Sequence, residues 1–204
     1  MPIKILRPDH SEIVGTGSVL LTSAHSAGPE IDDAGQIVEH AALASRVYAV
    51  IGKTGSIYKD SERLLTAHAD LRNSIDTIIE ENEIKCIISI YGKEEPGVDI
   101  GTNKGKTCTD ETRGVIKDFL SRTFPVTIDK ASQNPGPGSF TTGYEQVDST
   151  GNFIVQSVKI GIGSGERQMQ RDKVIDQLAE LVGLLNVKLG YDPSRNSSSN
   201  HEYP

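Results

Sequence analysis

The chain has no tryptophan, and only 5% of its 204 residues are aromatic. A core with so few rings must be built from Ile, Val, Leu and Ala. Cysteine is scarce too. Cys86 lies in an apolar run, "IKCIISI", and reads as a small core residue, whereas Cys108 lies in a polar loop, "GKTCTDE". They form no CxxC pair and no disulfide framework, so a reducing compartment is expected. No window approaches the roughly 20 apolar residues that span a bilayer. The opening stretch, "MPIKILRPDHSEIVG", lacks the apolar region of a signal peptide. A soluble, cytoplasmic protein without a membrane partner is expected. Basic residues are outnumbered, 21 Lys and Arg against 28 Asp and Glu, for a net charge of −7. This excludes a sequence-independent nucleic-acid binder, which needs clustered cations against phosphates.

What is present is an alternation of apolar runs and helical patterns. It predicts one α/β domain over 1–190 and a polar, disordered tail over 191–204. Residues 18–22 read as a buried strand that ends in a small-residue loop fixed by Pro29. The stretch 34–52 carries Ile37, Ala41, Ala44, Val47 and Tyr48 at helical spacing, with Gly52 as its stop. A second helix is predicted over 61–84. "KCIISIYG" is a strand apolar enough for burial on both faces. A short strand over 98–100, a helix over 112–124 and a strand over 125–129 follow. The Pro- and Gly-rich stretch 130–147 reads as an irregular loop. A strand over 151–163 leads to a closing helix over 166–189, with Ile175, Leu178, Leu181, Val182 and Leu185 on one face. The expected architecture is a mixed, mostly parallel sheet with helices on both faces. Ligands bind such sheets at loops after the strand C-termini. Here those are the loops at His25, at 91–99 and at 161–166. A homo-oligomer is compatible with all of this.

Two glycine-rich stretches imitate phosphate loops. In "GTNKGKT" only three residues separate Gly101 from Gly105, where the phosphate-loop motif needs four. "GIGSGE" carries Glu166 where a dinucleotide fingerprint needs a small residue. Glycines that let the chain turn fit both better.

Among five histidines, His10 and His201 fall in terminal polar segments expected to be exposed, and His40 and His68 on helices. His25 differs, because it follows a buried strand in a loop of small residues, with Glu30 five positions on. Imidazole and carboxylate on one loop suit Zn²⁺, but a catalytic site needs three protein ligands and an open position.

"LLTSAHSAGPEI" resembles the first motif of the N-formylglutamate amidohydrolase and phage poly-γ-glutamate hydrolase group, with His25, Gly28 and Glu30 at the matching positions. "KDSERLL" is similar to the family's Asp-x-Asn-Arg segment through Asp60 and Arg63, with Glu62 in the Asn position. "IISIYGKEEPGVDIGTNKG" resembles its strand and His-Gly turn. "GSFTTGYEQ" and "NFIVQSVKIGIGSGER" resemble its Gly-Tyr loop and Gln-x-Glu strand. The likeness runs over roughly residues 15 to 185, and the order of the motifs carries it.

The resemblance implies a zinc carboxypeptidase-like α/β fold and a zinc-dependent hydrolase. The substrate would be an N-acyl amino acid, a γ-glutamyl compound or a peptide-like amide. It implies His25 and Glu30 as metal ligands, with Arg63, Tyr144 and Gly143 at the substrate. Two positions depart from it. Tyr91 stands at the expected second His, and Val158 at the expected general base, whose loss removes about 10²–10⁴ in rate. Lys159 and Glu166 are the alternative catalytic candidates. Three explanations stay open. The site is rebuilt from His68, Asp99, Glu94, Glu95 or Glu166; or Tyr91 is a direct or water-mediated ligand; or the fold is kept without the chemistry. In the last case the chain is an anionic-ligand binding or interaction protein, with Arg63 and Lys159 as its cations.

Overall fold

The computed structural model describes residues 2–23, 33–52, 61–129 and 144–192, with the backbone alone over 61–68. The chain opens with an unanticipated ribbon, β1 (Ile3–Leu6) and β2 (His10–Val14), paired antiparallel. The run after Gly17 is strand β3 (Val19–Ser23), buried throughout.

Helix α1 (Asp33–Ser45) is followed at once by strand β4 (Tyr48–Gly52). The single helix expected over 34–52 is therefore two elements. Arg46 takes φ 60, and Val47 N–H reaches back to Ala42 O at 3.1 Å. This six-to-one bond closes a left-handed helix end. The β-branched and aromatic residues of "VYAVIG" then favour a strand.

Helix α2 (Ser61–Glu81) leads to strand β5 (Cys86–Lys93), then β6 (Val98–Gly101), helix α3 (Asp110–Leu120) and β7 (Val126–Ile128). Thr109 caps α3 by accepting from Thr112 N–H. No helix starts at Lys106, as the phosphate-loop reading would require. Strands β8 (Gln146–Val147) and β9 (Phe153–Gly163) follow. The closing helix is broken at Gln170 into α4 (Ser164–Met169) and α5 (Arg171–Lys188).

Among the described residues nine strands form one mixed sheet in the order β1-β2-β4-β3-β5-β9-β6-β7, with β8 beside β9. The four central strands, β4-β3-β5-β9, are parallel. Their carboxyl ends, Gly52, Ser23, Lys93 and Gly163, lie along one edge. Strands β2 and β6 flank them antiparallel.

Alternation along the strands sorts the core onto two faces. One holds Leu21, Ala49, Ile88, Val158 and Ile160 against Ile37 and Ala41 of α1, Ile116 of α3, and Leu178 and Leu181 of α5. The other holds Leu20, Val50, Ile87 and Val155 against Leu71 and Ile75 of α2 and Tyr144. Each such Leu or Ile contributes about 1.5–3 kcal/mol by leaving water. Helices on both faces of an α/β sheet match the expected class. Cys86 is buried as expected, and so is Cys108 despite its polar neighbours. No helix among the described residues is long and apolar enough to cross a membrane.

Candidate functional site

The two faces differ near the carboxyl edge. On the α1/α5 face the strands stay apolar through Leu21, Ile88, Val158, Ile160 and Ile162, with buried Ser23 at the end of β3 as an exception. On the α2 face they turn polar. The row Leu20–Ile87–Ser157 gives way, two residues further along each strand, to Thr22–Ser89–Lys159. Beyond it comes Tyr91 opposite Gly161, with Asp99 of β6 on the far side of that glycine and Thr127 of β7 beside Asp99. Central strands covered on both faces are normally apolar on both. A polar floor on one face of five adjacent strands, β3-β5-β9-β6-β7, is therefore a local departure, and it lies where α/β sheets bind ligands.

Each member of the floor has a definable state. Thr22 and Ser89, both nearly buried, share a hydrogen bond of 2.5 Å. Asp99 is buried, accepts from the Thr127 hydroxyl and pairs with Lys93 Nζ at 3.0 Å. Lys159 is half-buried, and its ammonium lies 6.0 Å from the Tyr91 ring centroid. Burial holds its pKa below the usual lysine value. No carboxylate pairs with Lys159 among the described residues. The Tyr91 phenol is pushed up to about 12 by burial, reinforced by Asp99 and Glu95. It is thus a neutral hydrogen-bond donor at any working pH. Its ring lies over Gly161, where an added Cβ would stand 2.6 Å from the hydroxyl oxygen.

Val158 is 1% exposed and points into the α1/α5 core, away from this floor. The strand neighbour that faces the floor is Lys159. Glu166 is buried at the start of α4. One of its carboxylate oxygens sits against Gly163, without a hydrogen bond. Glu94 and Glu95 are exposed. Tyr144 packs among Leu20, Ile87 and Val155, on the amino-terminal side of the polar rows, with the Arg72 guanidinium 5.4 Å from its ring centroid. His25, Glu30 and Gly143 lie outside the described residues, as do the side chains of Arg63 and His68.

Arg167 of α4 is 3% exposed. Its Nη1 donates to the Lys93 and Ile162 carbonyls, tying together the ends of β5 and β9. His10, expected to be exposed, is also 3% exposed and sits in a network with Asp9, Glu12 and Ser74. The alternation in "HSEIV", which places His10 and Glu12 on one strand face, was the signal available for it.

The described residues do not by themselves fit a zinc ion at the floor. Tyr91 would have to ligate as a phenolate, and its surroundings favour the phenol. Asp99 is already paired with Lys93. Among the described residues no three His, Cys, Asp or Glu side chains gather to hold a metal.

No protein-family model matches the chain, and a search of characterised protein sequences returns no match. Solved structures do match. N-formylglutamate amidohydrolase from Ralstonia eutropha JMP134 aligns with 88% of this chain and 97% of its own, at a TM-score of 0.55 and 10% identity. A bacteriophage poly-gamma-glutamate hydrolase aligns over 91% of both chains, at 0.50 and 13%. The gene product Atu2144 from Agrobacterium tumefaciens aligns over 87% and 96%, at 0.53 and 10%. The chain therefore has the fold of these proteins, which is the fold its motifs resemble.

Proposed function

We propose that this chain is an amide hydrolase that takes a small, carboxylate-bearing amide at the carboxyl edge of its sheet. The compound would be an N-acyl amino acid or a γ-glutamyl or peptide-like amide. The observation that carries the reading is Lys159, a half-buried ammonium without a carboxylate partner on the polar floor. A cation withdrawn from water is costly unless an anion joins it. A substrate carboxylate supplies that anion. Tyr91, held as the phenol, is placed to donate to the amide carbonyl oxygen, where negative charge grows during attack. The fold shared with N-formylglutamate amidohydrolase and the phage hydrolase supports the C–N bond as the one cleaved. The zinc requirement belongs to the proposal through His25 and Glu30 alone.

The position of Val158 favours a second reading, binding without turnover. A strand that puts valine in the core at the expected base position leaves Ser157, Lys159, Gly161 and Gly163 of β9, and no carboxylate, on the site face near the carboxyl edge. One experiment separates the two. The protein is incubated with N-formyl and N-acyl amino acids and γ-glutamyl peptides, released amine is followed, and zinc content is measured. Hydrolysis that disappears with His25→Ala or on chelation, and whose KM rises about tenfold or more in Lys159→Met, supports the enzyme. Saturable binding of the same compounds, weakened in Lys159→Met but without amine release, establishes the second reading. Neither binding nor hydrolysis overturns both.

A further inference from the structure

We propose that the ligand of the polar floor carries a free ammonium as well as a carboxylate, and that Glu166 receives the ammonium. This rests on the reading of the floor as the substrate site and narrows its substrate class. It selects a γ-glutamyl compound with an unblocked α-amino group over an N-acyl amino acid. The stretch "GIGSGE" supplies the geometry. Gly161 and Gly163 flank Ile162 on β9, so both face the floor. Each leaves a space that a functional group fills. The Tyr91 ring lies in the space at Gly161. At Gly163, Glu166 turns back from the first turn of α4, and its Oε2 lies where a Cβ would stand. Two residues along a strand are about 6.6 Å apart, so phenol and carboxylate are set one strand repeat apart on one face. In a γ-glutamyl group about 5 Å separates the α-nitrogen from the scissile carbonyl carbon, against about 2.5 Å in an α-aminoacyl amide. The longer reach matches the repeat, with the carbonyl at Tyr91 and the ammonium at Glu166.

Glu166 stands as Lys159 does, with the opposite sign. It is 7% exposed, and its Oε2 is buried without a hydrogen-bond partner. The cation beside Gly163 in the register is Lys93, which is already engaged. Its Nζ lies 3.0 Å from Asp99 Oδ2 and 3.2 Å from the Pro96 carbonyl oxygen. Arg167 turns to the other face, where its guanidinium covers Gly92 and its Nη1 donates to the Lys93 and Ile162 carbonyls. Lys93 and Asp99 thus satisfy each other, and Lys159 and Glu166 remain, one of each sign. A charge withdrawn from water is costly unless its opposite joins it. A zwitterionic ligand brings both opposites in one molecule. An N-acyl amino acid brings only the carboxylate, because its amide nitrogen is neutral, and leaves Glu166 bare.

The test compares γ-glutamylalanine with N-acetyl-γ-glutamylalanine on the full chain, by released alanine and by calorimetric binding. The parent is expected to favour the unblocked compound about tenfold or more, in kcat/KM or in Kd, the usual size of a hydrogen bond to a charged group. Glu166→Gln is expected to treat the two alike, and Lys159→Met to weaken both. The comparison on the parent needs no variant, so it holds even where Glu166→Gln prevents folding. Equal handling of the two compounds by the parent, or a preference for the acetylated one, overturns this inference and leaves the hydrolase reading in place. So does a preference that survives in Glu166→Gln. The expected preference in binding, without released alanine, upholds the role of Glu166 and overturns only hydrolysis. Neither binding nor release of either compound overturns both.

Discussion

At position 158 one residue's parity along a strand decides what it can do. Even-numbered residues of β9, from Val158 to Ile162, join the α1/α5 core, and odd-numbered ones face the polar floor. A carboxylate restored at 158 would enter an apolar core rather than the site. Val158→Glu is therefore expected to destabilise the fold by about 3–5 kcal/mol, the cost of an uncompensated buried charge, in urea unfolding. A stable Val158→Glu protein with raised hydrolytic activity would show that this position reaches the substrate. Gly161 makes the complementary case. Its missing side chain is the space in which the Tyr91 ring lies, since a Cβ there would meet the ring at 2.6 Å. Gly161→Ala should displace Tyr91 and cost about 1–3 kcal/mol through overpacking. Tyr91→Phe should leave the ring in place and lose only the donor. Comparing ligand affinity and urea midpoints of the two variants checks this.

Among the elements, the junction of α1 and β4 was the least legible in the sequence. Residues Ile37 to Tyr48 carry an unbroken helical pattern, because Val47 and Tyr48 happen to fall in phase with it. The break is a backbone event at Arg46, which adopts a left-handed φ of 60 with no glycine to announce it. Such a conformation costs an L-residue about 1–2 kcal/mol. Arg46→Gly should therefore stabilise the protein by about 1 kcal/mol, seen as a higher melting temperature, whereas Arg46→Val should lower it. The central strands were legible for the opposite reason. A run such as "CIISI" is apolar on both faces and admits only burial. The polar floor was half legible. Tyr91 and Lys159 were singled out as departures from a motif, but their shared face depends on the parallel register of β5 and β9. That pairing joins residues about 70 apart, and no local pattern encodes it. The His10 network failed to show for the same reason, since Ser74 arrives from α2, 64 residues away.

Across the whole molecule, groups that ionise at high pH are held neutral in the interior. Burial pushes the Cys86 thiol from its ordinary 9.0 up to about 12, with Cys108 adding to it. It pushes Cys108 up to about 11, against the opposing pull of Arg113. Burial, reinforced by Asp76, likewise raises the Tyr144 phenol from 10.0 to about 12. Each group keeps its proton in the folded chain at a pH where the unfolded chain has released it. The sign follows from linkage. Stability is fully present below about pH 9, where both states are protonated, and falls as the pH rises through the folded values of about 11 to 12. The expected outcome is a urea midpoint that is flat from neutral pH to about 9 and then drops steeply. Tyr144→Phe removes one contribution, so its midpoint should fall less steeply above about pH 10. The double variant Cys86→Ala, Cys108→Ala should delay the onset of the drop from about pH 9 toward about 10. Equal slopes in parent and variants would place the alkaline sensitivity elsewhere, in the repulsion of a chain that already carries −7 at neutral pH.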